Sequence, residues 1–139
     1  MGFEINWLIK DEIIYARFWG KGDADELHAA LTEIARMRDE SFRDVVHTIT
    51  NTKQVEVVVP FQESMKIVRE FQTANYDGWE IVVGNLNKVI QLSLKIARSL
   101  LRTKSINFKT MQEALDHLRK EDPTINWENL NQSLVEDNP

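Results

Sequence analysis

A chain of 139 residues, 42% hydrophobic and 28% charged, has the size and composition of one domain around a single core, and neither figure suits a disordered chain. It contains no cysteine, which excludes disulfides, thiolate nucleophiles and Cys-based metal sites. A net charge of −5 argues against a nucleic-acid partner. No apolar run approaches the ~20 residues of a membrane span, and the opening residues, with Glu4 among them, do not read as a signal peptide; a cytoplasmic protein is expected.

Phe3, Ile5, Trp7 and Ile9 alternate with other residues in a strand pattern, which Ile13 to Trp19 repeats after Lys10-Asp11-Glu12, so the two runs predict a hairpin. Gly20-Lys21-Gly22 breaks the strand. Asp23, with Glu26 three residues on, opens a helix whose apolar stripe is Leu27, Ala30, Leu31 and Ile34. Val45 to Ile49 is β-branched and predicts a strand that Thr50-Asn51-Thr52-Lys53 ends, followed by a loop or a strand extension.

Pro60 suits the first turn of a helix in which Phe61, Met65, Val68 and Phe71 recur up to about Tyr76. Trp79 to Val83 is a short strand, and Lys88 to Thr103 predicts a helix with Val89, Leu92, Ile96 and Leu100 on one face. Ser105 to Phe108 adds a strand. Thr110 and Glu113 then cap a helix through Ala114, Leu115 and Leu118, which Asp122-Pro123 stops. Thr124 to Pro139 holds three acids and no base and forms an acidic C-terminal tail beyond a domain over residues 1–122; it either docks through Trp127 or frays.

The pattern predicts an α/β fold: a mixed sheet of about five strands, an antiparallel hairpin followed by βαβ units, with about four helices. This element order over roughly Phe3 to Lys120, with the closing stretch Ile106-Asn107-Phe108-Lys109-Thr110-Met111-Gln112-Glu113-Ala114-Leu115, resembles the STAS-type, anti-sigma-factor-antagonist-like domains, in particular their small stand-alone bacterial members. The resemblance implies a signalling scaffold that binds other proteins. Members of that family typically carry a phosphorylatable Asp-Ser-Ser/Thr-Gly-like turn after the third strand. Here the place reads Ile49-Thr50-Asn51-Thr52-Lys53-Gln54, with no Asp before a Ser and no following Gly, which leaves Thr50, Thr52 and Ser64 as substitute candidates.

No nucleophile elbow, P-loop, dinucleotide glycine motif or His-Glu-x-x-His segment occurs, so neither catalysis nor a cofactor is expected. His28, His47 and His117 stand on separate elements without metal-ligand spacing, and Asp23, Asp25 and Glu26 are explained by capping. Residues 87–104 hold Lys88, Lys95, Arg98, Arg102 and Lys104 with no acid, a charge of +5 that leaves −10 for the rest. Lys95, Arg98 and Arg102 therefore make a candidate surface for an acidic partner, a phosphate-bearing ligand or an anionic membrane surface, which tail acids such as Glu128, Glu136 and Asp137 could mask.

Val57, Val58, Val59 and Phe61 form a second candidate partner surface, because apolar side chains left in solvent usually mark a contact; alternatively, a strand extension with Val55, Val57 and Val59 on one face turns half of the run into the core. Edge-to-edge pairing of a strand here would give a homodimer. An alternative reading takes a lipid or a small anionic ligand at the end of the fourth strand, on Asn85, Asn87 and Lys88.

Overall fold

The computed structural model describes residues 2–71, 77–84 and 104–137. Five strands form one sheet in the order β1-β2-β3-β4-β5: β1 (Gly2–Ile9), β2 (Ile13–Lys21), β3 (His47–Val57), β4 (Trp79–Val83) and β5 (Lys104–Phe108). β1 and β2 are antiparallel, and the remaining neighbours are parallel. The hairpin turn is closed by the Glu12 N–H donating to Ile9 O at 3.0 Å, with Asp11 at φ 65°, a conformation that Asp tolerates better than most residues.

Between β2 and β3 runs α1 (Ala24–Glu40), started by the Asp23 carboxylate, which accepts from the Asp25 and Glu26 amides. Helix α2 (Phe61–Glu70) follows β3; Pro60 occupies its N-cap and gives no side-chain cap. After β5 comes α3 (Met111–Glu121), where the Thr110 hydroxyl accepts from the Glu113 amide. A 3₁₀ turn (Trp127–Asn129) and α4 (Gln132–Asp137) complete the described chain. The helix expected over Lys88–Thr103 lies outside the described residues, as do the residues expected to extend α2 to Tyr76.

The two sheet faces differ. Ile13, Tyr15, Ile49, Ile81 and Val83 meet Met111, Ala114, Leu115 and Leu118 of α3, and the C-terminal segment packs on the same core through Ile125, Trp127, Leu130, Leu134 and Val135. The other face is apolar under α1, where Ile14, Ala16 and Phe18 meet Ala30, Ile34 and Met37. Its continuation over β3 to β5 is mostly polar among the described residues, presenting Thr48, Thr50, Glu80, Ser105 and Asn107 around Val82, although parallel sheets usually bury apolar residues on both faces. Arg38 of α1 crosses this polar strip, donating to Thr48 Oγ1 at 2.5 Å and pairing with Glu80.

The third strand is longer than its sequence suggests. The turn-forming residues Thr50-Asn51-Thr52-Lys53 lie inside β3, because pairing with β2 continues to Val57. Asn51 adapts: its Oδ1 accepts from the Lys53 amide at 3.0 Å, a local Asx-type bond that sits at a register shift, while its Nδ2 donates to the buried Tyr15 hydroxyl at 2.9 Å. Burial raises the Tyr15 pKa, so that hydroxyl stays neutral.

Ile49 is fully buried between β2 and β4 and packs toward α3. Ile49→Ala should therefore destabilise the domain by about 2–5 kcal/mol in urea denaturation.

Candidate functional site

β3 outruns β4. Only Thr48 to Asn51 pair with β4, whereas Gln54, Val55 and Val57 still pair with Trp19, Gly20 and Lys21 of β2. The end of β3 thus projects as a ribbon past the last β4 residue, Val83. Thr52 marks the departure point: its hydroxyl donates to Val83 O at 3.0 Å. Beside it Gly84, at φ +156°, leaves no room for a Cβ, which would strike the Thr52 hydroxyl.

The ribbon then turns into α2. The Gly22 amide donates to Val57 O at 2.5 Å, and the Ser64 hydroxyl donates to Val59 O at 3.1 Å, so the carbonyls at both ends of Val57–Val59 are held by hydrogen bonds. The described residues expose five large hydrophobic side chains, Trp19, Phe42, Val57, Val58 and Phe61, and three of the five fall within this one junction. Val57 is 53% exposed, Val58 43% and Phe61 40%. Val59, expected on the same surface, is a correction: it is 8% exposed, because β3 ends at Val57 and the link to α2 turns Val59 inward.

From Phe61 an open groove of about 590 Å³ runs along α2, lined among the described residues by Phe61, Gln62, Met65, Lys66, Arg69 and Glu70. On the ribbon's other strand, Trp19 is stacked by the Arg17 guanidinium at 4.6 Å, and Arg17 in turn donates to Gln54 at 2.9 Å and to Glu4 at 3.1 Å. Trp19 carried no signal of a surface role in the sequence, since it reads as one more residue of an alternating strand.

The phosphorylation candidates separate by geometry. Thr50 and Thr52 lie within β3 rather than at a helix start, with the Thr52 hydroxyl committed to Val83, whereas Ser64 sits in the first turn of α2. Lys95, Arg98 and Arg102, and the ligand candidates Asn85, Asn87 and Lys88, lie outside the described residues. Among the described residues no group of His, Asp and Glu could hold a metal ion, and no helix is long and apolar enough to cross a membrane.

Comparison with solved structures bears on this geometry. The chain superposes on the unphosphorylated anti-sigma factor antagonist SpoIIAA with a TM-score of 0.56 at 15% identity, over 90% of this chain and 100% of the other. Against the phosphorylated Bacillus cell fate determinant SpoIIAA the TM-score is 0.55 at 14% identity, over 84% and 99%. An uncharacterised protein of the DUF3478 family with a SpoIIAA-like fold, from Shewanella loihica, gives 0.57 at 12% identity, over 84% and 93%. The chain has a SpoIIAA-like fold. No protein-family model and no curated protein matches it. The STAS-like scaffold implied by the element order is thus present, with the mixed sheet and the helix after the last strand in their expected places.

In this SpoIIAA-like domain the two threonines of β3 should respond differently to removal of the hydroxyl. Thr52→Val should cost about 1 kcal/mol through the lost bond to Val83 O, and Thr50→Val less than about 0.5 kcal/mol, as read from urea midpoints.

Proposed function

We propose that this protein is a non-catalytic interaction module of the STAS-like type, which docks onto protein partners through the junction of β3 and α2, with a second copy of itself as one such partner. The observation that supports the reading is the clustering of Val57, Val58 and Phe61 in solvent, at the end of a ribbon that projects beyond the rest of the sheet. Three large apolar side chains on one short, backbone-anchored segment form a patch of the kind that marks contact surfaces.

Backbone pairing between strand edges is not the mode this surface favours. β3 carries register shifts at Asn51–Gln54 and Val55–Val57, and the exposed Lys53 and Glu56 flank them; bulges and edge charges of this kind discourage strand addition. A side-chain contact about a two-fold axis fits better, because a patch with an apolar centre and charges of both signs at its rim can complement its own copy.

A second reading, a lipid or small anionic ligand, is favoured by the groove along α2, where Phe61 and Met65 lie beside Lys66 and Arg69. Native mass spectrometry of protein purified from its own cells separates the two, since a stoichiometric small-molecule adduct belongs only to the ligand reading.

The Val58→Asp variant should remain folded by circular dichroism and sediment as a monomer where the wild type sediments as a dimer. A wild type that is monomeric at high micromolar concentration removes self-association, and a Val58→Asp variant that fails to fold would mean that Val58 serves the core instead.

A further inference from the structure

At the end of the sheet where the parallel strands begin, a polar network joins five separate segments. Glu12, 8% exposed in the hairpin turn, pairs with Arg43 from the loop after α1 and accepts from the Asn126 amide at 3.2 Å. Arg43 donates to the Thr124 hydroxyl at 3.0 Å and lies 3.7 Å from Asp122. Asp122 Oδ1 accepts from the Thr124 amide at 3.0 Å. His47, 2% exposed at the start of β3, reaches Asp122 Oδ2 at 2.8 Å through Nε2. Its other nitrogen, Nδ1, faces the amide of Trp79 at the start of β4, at 3.0 Å.

The Trp79 amide can only donate, so Nδ1 must accept and is unprotonated; the ring proton sits on Nε2 and is donated to Asp122. This fixes His47 as a neutral imidazole of one tautomer. A second proton has only Nδ1 to go to. There it would set an N–H against the Trp79 N–H inside a buried site, an opposition that displaces the ring, and with it the Asp122 carboxylate it holds, from their places beside the start of β4.

Asp122 begins the C-terminal segment, which lies over the α3 face. Ile125 is 7% exposed, Trp127, Leu130, Leu134 and Val135 pack on the core, and the Asn131 amide donates to Leu8 O at 2.9 Å. The segment thus has a cluster of polar anchors at its root, through Asp122, Thr124 and Asn126, one backbone bond further along at Asn131, and a row of apolar contacts along its length. None of its residues belongs to the ladders of the sheet, so it can lift without unpairing any of the five strands.

We propose that residues 122–137 are a strap over the α3 face, closed while His47 is neutral and released when His47 takes up a proton. Release would uncover the apolar surface that Ile125, Trp127, Leu130 and Leu134 now cover, on the sheet face opposite α1 and independently of the junction between β3 and α2. The charged groups around His47 come from several elements. Asp122 favours the imidazolium, Arg43 and Lys104 of β5 oppose it, Glu12 is held against Arg43, and His117 of α3 stands behind the Trp79 ring at 4.4 Å.

Burial outweighs the attraction of Asp122 and lowers the His47 pKa from its ordinary 6.5. Burial pushes the Asp122 pKa up, but hydrogen bonds from Thr124 and His47 hold it below its ordinary value. The sign follows. A histidine whose folded pKa is depressed contributes fully above the unfolded value, and its contribution is lost as pH falls from about 6.5 toward the folded value.

Hydrogen exchange of the full chain at a series of pH values, corrected for intrinsic rates, tests the proposal. The amides of Asn126 and Asn131 should lose protection on acidification below 6.5, by about tenfold for each unit by which the His47 pKa is depressed. Those of Tyr15 and Ile49 in the paired strands should keep theirs. The midpoint of strap opening should coincide with that of the His47 ring nitrogens followed by ¹⁵N NMR. His47→Asn, which cannot take up a proton, should abolish the pH dependence. Strap protection that stays flat through the His47 titration, midpoints that do not coincide, or parallel loss in β2 and β3 would each overturn the proposal; the NMR comparison needs only the wild type.

Discussion

The surface of this domain follows from a mismatch in strand length. β3 has eleven residues and β2 has nine, while β4, on the other side of β3, has five. Because β2 and β3 stay paired beyond the point where β4 stops, their ends leave the sheet as a ribbon with no β4 residue beside it. Thr52 and Gly84 manage the departure, one by bonding Val83 O and the other by leaving room for that hydroxyl. Where the ribbon bends back into α2, Val59 enters the core and Val57, Val58 and Phe61 do not. Hydrogen bonds from Gly22 and Ser64 anchor that bend at both ends, and anchoring of this kind reduces the ordering entropy that an exposed segment loses in any contact.

The rest of the fold is arranged so that the two ends of the parallel strands have different duties. The C-terminal ends carry the ribbon and its apolar junction. The N-terminal ends carry charge: Glu12, Arg43, His47 and Asp122 on the α3 face, Arg38 and Glu80 on the other. Buried charges are costly unless each finds a partner, and here the partners come from far along the chain, so the network ties the hairpin turn, the loop after α1, β3, β4 and the C-terminal segment together.

Most of the scaffold is legible in the sequence, because its signals are local. Alternation in Phe3–Ile9 and Ile13–Trp19, the caps at Asp23 and Thr110, and the short apolar run Trp79–Val83 each specify their element with nearby residues alone. β3 is read too short because Thr50-Asn51-Thr52-Lys53 has turn chemistry. That chemistry is in fact used, as the Asx bond of Asn51, but inside a strand that pairing with β2 keeps extended. Val57 and Val59 share a face in an extended strand, yet Val57 is exposed and Val59 buried, because β3 stops at Val57 and alternation no longer decides which side chain turns inward. The pairing of His47 with Asp122, 75 residues apart, leaves no trace in local pattern at all, nor does the stacking of Arg17 on Trp19.

The central claim is that the junction of β3 and α2 meets a second copy of the chain. Lysine cross-linking of an equal mixture of ¹⁴N- and ¹⁵N-labelled protein tests it most directly, because only links between two molecules give mixed-isotope pairs. The account predicts mixed pairs among Lys21, Lys53 and Lys66, which flank the ribbon end and the start of α2. Mixed pairs confined to Lys109 and Lys120, at the ends of α3, or no mixed pairs at all, would contradict it.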